Sequence, residues 1–114
     1  MFKVYNELGP GFLEKIYKRA VLEELKENRI PYKTEEKFKT FYKGRLIGYS
    51  QLDLIAWNKI MLELKAVNKL EKFHLSQVLA YLKAARLKLG LLVNFSSENL
   101  EIKRVINQRS KISA

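Results

Sequence analysis

Hydrophobic positions recur along this 114-residue chain with two different periods, and the switches between them divide it into elements. The first stretch has a helical period. Phe12, Leu13, Ile16, Tyr17, Ala20 and Val21 fall on one face of a helix that opens at Gly9-Pro10-Gly11 and runs to about Asn28. Pro10 suits a first helical turn, where its missing N–H costs nothing. Pro31 disfavours helix in the residue before it, so the segment from Asn28 to Pro31 ends the element.

From Tyr32 to Val67 the pattern is that of strands. Lys37-Phe38-Lys39-Thr40-Phe41-Tyr42-Lys43 mixes cations with aromatics, and Lys43-Gly44 reads as a turn. Leu46 to Trp57 and Ile60 to Val67 are two central strands joined around Asn58-Lys59. A second helix runs from about Glu71 to Leu87, with Leu75, Val78, Leu79, Leu82 and Ala85 on its apolar face. The apolar run from Leu89 to Phe95 predicts a buried strand. Leu100 to Ile106 predicts a last, edge strand, followed by a tail from about residue 108 that is expected to fray. The order α-β-β-β-α-β-β describes an α/β or α+β sheet flanked by helices.

The length suits one domain over residues 1–114, and 47% hydrophobic with 11% aromatic residues supplies a core and excludes global disorder. No apolar run approaches the ~18 to 20 residues of a membrane span. The start, MFKVYNELGPG, lacks the apolar region of a secretory signal, so none is expected. The absence of cysteine excludes disulfides and thiolate metal sites and makes a reducing cytoplasm the expected location. Charge adds a partner. Twenty-two Lys and Arg against twelve Asp and Glu give +10, a surface that attracts polyanions, of which nucleic acid is the commonest. The alternative is a Lys-rich surface without a partner.

The two central strands also carry charges in their interiors: Asp53, Glu63 and Lys65. An unpaired buried charge costs several kcal/mol, so such groups are normally paired, metal-bound or functional. Alternation points Glu63 and Lys65 one way and Leu62, Leu64 and Ala66 the other, and gives Asp53 a face shared with Gln51 and Ile55. A two-residue loop at Asn58-Lys59 sets Asp53 opposite Leu64. A three-residue connection or a bulge sets it beside Glu63. In that odd register two carboxylates and an ammonium converge. This donor set suits Mg²⁺, with the ammonium beside an attacking water and a phosphate. The alternative is an exposed cross-strand ion pair, which contributes little.

Other candidates border this patch. Glu14 lies within the apolar arc of the first helix, placed either to complete a metal site or to reach water at the rim. His74, Gln77 and Tyr81 form one stripe of the second helix. Gln77 suits a hydrogen bond to phosphate or water, His74 suits a phosphate contact or a packing role, and Tyr17 and Tyr81 suit the core. Lys37, Lys39, Lys43 and Arg45, interleaved with aromatics, suit nucleic acid, or else a solvated strand with its aromatics turned inward.

These motifs together resemble a known family. Gly11-Phe12-Leu13-Glu14-Lys15-Ile16-Tyr17 matches the G-x-x-E-x-x-Y signature of the GxxExxY proteins, small domains of the PD-(D/E)XK nuclease superfamily. The resemblance continues through Tyr42-Lys43-Gly44, Asp53, Glu63-Leu64-Lys65-Ala66-Val67, Leu79-Ala80-Tyr81-Leu82-Lys83, Leu89 to Phe95 and Glu101-Ile102-Lys103-Arg104. It implies a restriction-endonuclease-like core of α-β-β-β-α-β order with a central mixed sheet. It also implies Mg²⁺, replaceable by Mn²⁺, bound by Asp53 and Glu63 with support from Glu14, and a catalytic set completed by Lys65 and Gln77. The implied activity is phosphodiester hydrolysis in nucleic acid, DNA before RNA. The alternative is a nucleic-acid-binding or scaffolding domain that keeps the fold without cutting. So small a domain points to a partner or a homodimer for gripping a substrate. Two departures stand out: the chain begins a few residues before the G-x-x-E-x-x-Y motif, implying a shorter first helix or lead-in, and Ser50-Gln51 precede Asp53 where similar sequences often carry a basic residue, implying altered phosphate contacts with the metal site kept.

Overall fold

The changes of period coincide with changes of element in the computed structural model, which describes residues 1–95 and 99–108. The elements are α1 (Phe2–Leu8), α2 (Glu14–Glu27), β1 (Tyr32–Tyr42), β2 (Arg45–Ala56), β3 (Ile60–Lys65), α3 (Lys72–Ala85), β4 (Leu89–Phe95) and β5 (Leu100–Ile106). The tail expected to fray lies, from residue 109 on, outside the described residues. Among the described residues no helix is long and apolar enough to cross a membrane.

The strands form one five-stranded sheet in the order β1-β2-β3-β4-β5. Among the described strands only β3 and β4 run parallel, joined by a crossover through α3, and this makes the sheet mixed. Helices cover both faces. On one, Val4 of α1 and Tyr17, Val21 and Leu25 of α2 pack against Leu54, Leu62, Leu64, Val93 and Phe95. On the other, Val78 and Leu82 of α3 pack against Leu52, Ile55, Met61 and Leu92. Each fully buried side chain of this size contributes about 1.5–3 kcal/mol. At Gly90 the contact is so close that a Cβ would stand 3.0 Å from Val78 Cγ1 and 3.2 Å from Leu82 Cδ1, which holds α3 tight to β4.

The start of the chain differs from the periodic reading. Helix α2 begins at Glu14, and residues 9–13 form a loop in which Gly9 and Gly11 take φ of 72° and 101°. Pro10 therefore precedes the helix, and Phe12 and Leu13 are 44% and 67% exposed instead of lining it. Glycine flanking the proline on both sides gives the backbone its left-handed steps there. The few residues before the motif are no bare lead-in, because they form α1, whose seven residues are too short to show a periodic signal. Tyr17 explains the loop's course. Its ring is fully buried and stacks on Phe95 at 4.3 Å, while its hydroxyl donates to the Gly9 carbonyl at 2.5 Å and accepts from the Phe12 N–H at 3.3 Å.

Two turns set the register of the sheet. Lys43 and Gly44, with φ of 51° and 77°, close β1 onto β2 as a two-residue hairpin that pairs Tyr42 with Arg45. The β2–β3 connection is longer: Ala56 pairs with Ile60, leaving Trp57, Asn58 and Lys59 in the turn.

Candidate active site

The three-residue turn decides whether the interior charges meet. With Ala56 opposite Ile60 and Leu54 opposite Leu62, the next position in register brings Asp53 to Glu63. The backbone ladder between β2 and β3 ends at Leu54 and Leu62, so the strands part where the charges lie. Asp53 fills the start of that notch: its Oδ2 accepts the Leu64 N–H at 3.2 Å, where a strand carbonyl would otherwise stand. Alternation breaks here as well. Leu52 belongs to the α3 cluster and Leu54 to the α2 cluster although they are two residues apart, and Glu35, opposite Asp53, takes a left-handed φ of 52°. A kink of this kind re-aims a side chain. It separates Asp53 from Ile55, which packs under α3, and turns Asp53 toward α2.

On α2, Lys18 Nζ donates to Asp53 Oδ1 at 3.1 Å and stands 3.8 Å from Glu35 Oε1. Glu14 is one turn earlier on the same helix. Its pKa is raised, first by loss of water around the carboxyl and then by the charge of Asp53, against the opposing pull of Lys65 and Lys18. These couplings place Glu14 in the same electrostatic neighbourhood as the strand charges.

Glu63 lies on β3, the middle strand of the sheet, and is only 7% exposed. Among the described residues its Oε1 is buried without a hydrogen-bond partner, and its Oε2 lies 3.7 Å from Lys65 Nζ. Burial is the main reason its pKa is pushed up to about 7. The negative Asp53 and Glu14 add to the rise, and Lys65 offsets part of it. Lys65 Nζ donates to Gln77 Oε1 at 3.4 Å, and Gln77 Nε2 donates to the Tyr81 hydroxyl at 3.1 Å. Helix α3 thus holds the lysine from one side of the sheet while α2 holds the aspartate from the other.

Asp53, Glu63, Lys65 and Gln77 therefore meet around one notch, and Glu14 is coupled to it only through charge, but the cationic candidates divide. Lys37, Lys39, Lys43 and Arg45 are exposed on the β1–β2 hairpin, with Lys43 Nζ 5.5 Å from the centre of the Tyr42 ring. His74 does not join them. It is buried, its Nδ1 accepts the Glu71 N–H at 2.8 Å, and with Glu71 it forms a capping box at the start of α3. Sequence reasoning missed Lys18, although a signal existed: it follows Glu14 by four residues and so shares its helix face.

The donor set fits a hard divalent cation. A buried carboxylate oxygen without a partner, beside a second and a third carboxylate, needs a proton or a cation to offset its desolvation. Among the described residues no three His, Cys, Asp or Glu side chains are gathered as a metal cage.

Solved structures resemble this fold. The crystal structure of SSO0001 aligns with a TM-score of 0.66 at 16% identity, over 87% of this chain and 57% of that one. An alkaline exonuclease from Laribacter hongkongensis aligns with a TM-score of 0.61 at 10% identity, over 87% of this chain and 58% of the exonuclease. The chain thus spans less than two thirds of either. Comparison with curated proteins gives no match. The likeness in structure shows the restriction-endonuclease-like α+β core, and the sequence shows the lineage: a family model matches residues 1–105, so the chain belongs to the PD-(D/E)XK nuclease superfamily.

Proposed function

We propose that this protein is a divalent-metal-dependent nuclease of GxxExxY type that hydrolyses phosphodiester bonds in nucleic acid. The observation that carries this reading is Glu63: a buried carboxylate with an unpartnered oxygen, in register with Asp53 and beside Lys65. Asp53 and Glu63 would hold the ion, with Glu14 reaching it directly or through a water. A bound Mg²⁺ supplies Lewis-acid polarisation of the scissile phosphate and a more acidic water. Lys65, held by Gln77, would orient an attacking water and offset the negative charge that builds on the phosphate. Hydrolysis would form the bond from water oxygen to phosphorus and break the ester P–O bond, the water losing a proton to solvent and the leaving oxygen taking one from it. Lys37, Lys39, Lys43 and Arg45 supply salt-sensitive affinity for the polyanion. The capping position of His74 leaves it out of this contact set.

A second reading draws on Lys18, which already neutralises Asp53. It takes the chain as a nucleic-acid-binding domain that keeps the fold without cutting. Titration with Mg²⁺ or Mn²⁺ by calorimetry separates the two, run on wild type, Asp53→Ala and Glu63→Ala beside a cleavage assay on mixed DNA and RNA. The nuclease reading expects metal binding and metal-dependent cleavage that both variants lose. Nucleic-acid binding without either would favour the second.

A further inference from the structure

Outward from Asp53, β2 pairs among the described residues with β1 alone, and the two strands run on as a ribbon to the turn at Lys43-Gly44. From Lys37 to Tyr42 this ribbon extends roughly 20 Å at a strand's rise per residue. Phe38 is its last aromatic packed against the α3 cluster. Beyond it, Phe41, Tyr42, Leu46, Ile47 and Tyr49 are 58%, 61%, 45%, 65% and 59% exposed. Single exposed apolar residues are ordinary, but five within nine positions form a patch of the kind that marks an interaction surface.

The register arranges this patch. Lys39 pairs with Tyr49 and Phe41 with Leu46, so alternation gathers Lys37, Lys39, Phe41, Leu46 and Tyr49 on the face opposite Phe38. Lys37 pairs with Gln51, two residues before Asp53, so the same face leads into the notch. A register shift between Thr40 and Phe41 leaves Ile47 unmatched and twists the tip. The charge is of one sign: the segment from Lys37 to Leu52 holds four cations and no acid. A second copy docked face to face would set these cations against their own images. A polyanion meets no such repulsion, and the aromatic rings offer it something further.

We propose that this ribbon is a single-strand-binding arm: Phe41 and Tyr49 stack on unpaired bases while Lys37 and Lys39 hold the backbone phosphates, leading the strand toward Asp53 and Glu63. Aromatic rings and bases stack face to face, and a base offers that face to a side chain only when it is not already stacked within a duplex. The substrate class is therefore nucleic acid with an unpaired segment. The proposal rests on the nuclease reading for the strand's destination but not for its capture, so binding and cleavage are tested separately.

The test is fluorescence anisotropy of the full chain with a labelled 15-nucleotide single-stranded DNA, and with the duplex of the same sequence, in a chelator that prevents metal-dependent cleavage. Wild type is expected to bind the single strand at least about tenfold more tightly. Phe41→Ala and Tyr49→Ala should each weaken that binding about 5- to 150-fold and leave the duplex nearly unchanged. Tyr49→Phe keeps the ring and should bind like wild type. Phe41→Leu keeps apolar bulk without the ring and should bind like Phe41→Ala, which separates stacking from loss of packing. Equal affinity for strand and duplex, or equal losses on both, would overturn the arm. So would a wild-type dimer in sedimentation that Phe41→Ala dissociates, since the face would then belong to a second copy. Strand-selective binding with no hydrolysis after metal is restored would uphold the arm and count against the nuclease.

Discussion

The two halves of β2 depart from the usual partition of residues in opposite senses. The inner half, from Leu52 to Ala56, lies between helices, yet it carries Asp53 to a notch shared with the buried Glu63. The outer half, from Arg45 to Gln51, lies in water, yet it exposes Leu46, Ile47 and Tyr49. Folding alone rewards neither arrangement: a buried charge is desolvated, and an exposed ring goes unburied. What separates the halves is a partner strand. Where β3 pairs, alternation divides core from core, and where the ladder ends at Leu54 the side chains are free for other work. The kink at Glu35 and Asp53 marks that transition, as strained backbone often marks a functional site.

Removing a charge from the inner half should have the largest effect. Asp53→Ala is expected to lower metal-dependent cleavage on the order of 10³-fold, corresponding to several kcal/mol of lost charge stabilisation in the transition state. The chain should stay folded, as judged by circular dichroism, because among the described residues Asp53 bonds the Leu64 N–H and Lys18 and belongs to neither apolar cluster. Cleavage that survives the change would move the chemistry elsewhere.

Next in size is the pH dependence of stability. Glu63 binds its proton more tightly in the folded chain, with a pKa of about 7, than at its ordinary value of 4.5. Between these values the folded state carries more proton than the unfolded state, so stability falls as pH rises through the window. The loss is complete above about pH 7 and absent below about 4.5, and a shift of this size corresponds to about 3 kcal/mol. Glu63→Gln cannot ionise, so its urea-unfolding free energy relative to wild type should rise by that order between pH 4.5 and 8. A divalent cation should reverse the trend, stabilising wild type most at high pH and releasing a proton as it binds. A wild-type minus Glu63→Gln difference that stays flat with pH would show that Glu63 ionises without cost.

In the outer half the same operation should leave stability nearly untouched. The double substitution of Lys37→Ala and Lys39→Ala alters exposed strand positions and should shift unfolding by no more than about 0.5 kcal/mol. It should instead flatten the dependence of log affinity on log salt by about two for a nucleic acid ligand. A stability loss of several kcal/mol would mean that the ribbon's cations hold the fold, and the contrast between the halves would fail.

Much of the fold was legible because the hydrophobic period changes at each boundary. The strand at Leu89–Phe95 announced its burial through its apolar run and lies between β3 and β5. The start of α2 misled, because Phe12 and Leu13 continue the helical spacing although the loop that Tyr17 pins to Gly9 keeps them outside. That bond spans eight residues, and no local pattern encodes it. At the site, the spacing of Asp53, Glu63 and Lys65 named the residues but left the register open, since Trp57 and Asn58 give no strong sign of the left-handed turn that settles it. Nor did alternation reveal that Asp53 turns toward α2, because the kink that redirects it depends on β1. Lys18 left only the weak signal of its place four residues after Glu14, because its role appears only once Asp53 faces it.

Lys18 therefore gives the finest test of the inner half, with the smallest effect expected there. Its ammonium is mostly buried, 3.1 Å from Asp53 Oδ1, and without a cation in the notch it offsets that carboxylate's charge. A divalent ion brought to Asp53 meets this ammonium as a like charge, so the lysine and the ion compete for one oxygen. Lys18→Met keeps the length of the stem and removes the charge. The metal-free chain should lose about 1 kcal/mol, a value discounted for the pair's remaining exposure to water. Mg²⁺ affinity, read by calorimetry, should rise about fivefold, and added Mg²⁺ should then restore the lost thermal stability. The opposite result, weaker Mg²⁺ binding in the variant, would mean that Lys18 aims Asp53 and does not substitute for the ion. The notch would then be built around two lysines as well as two strands.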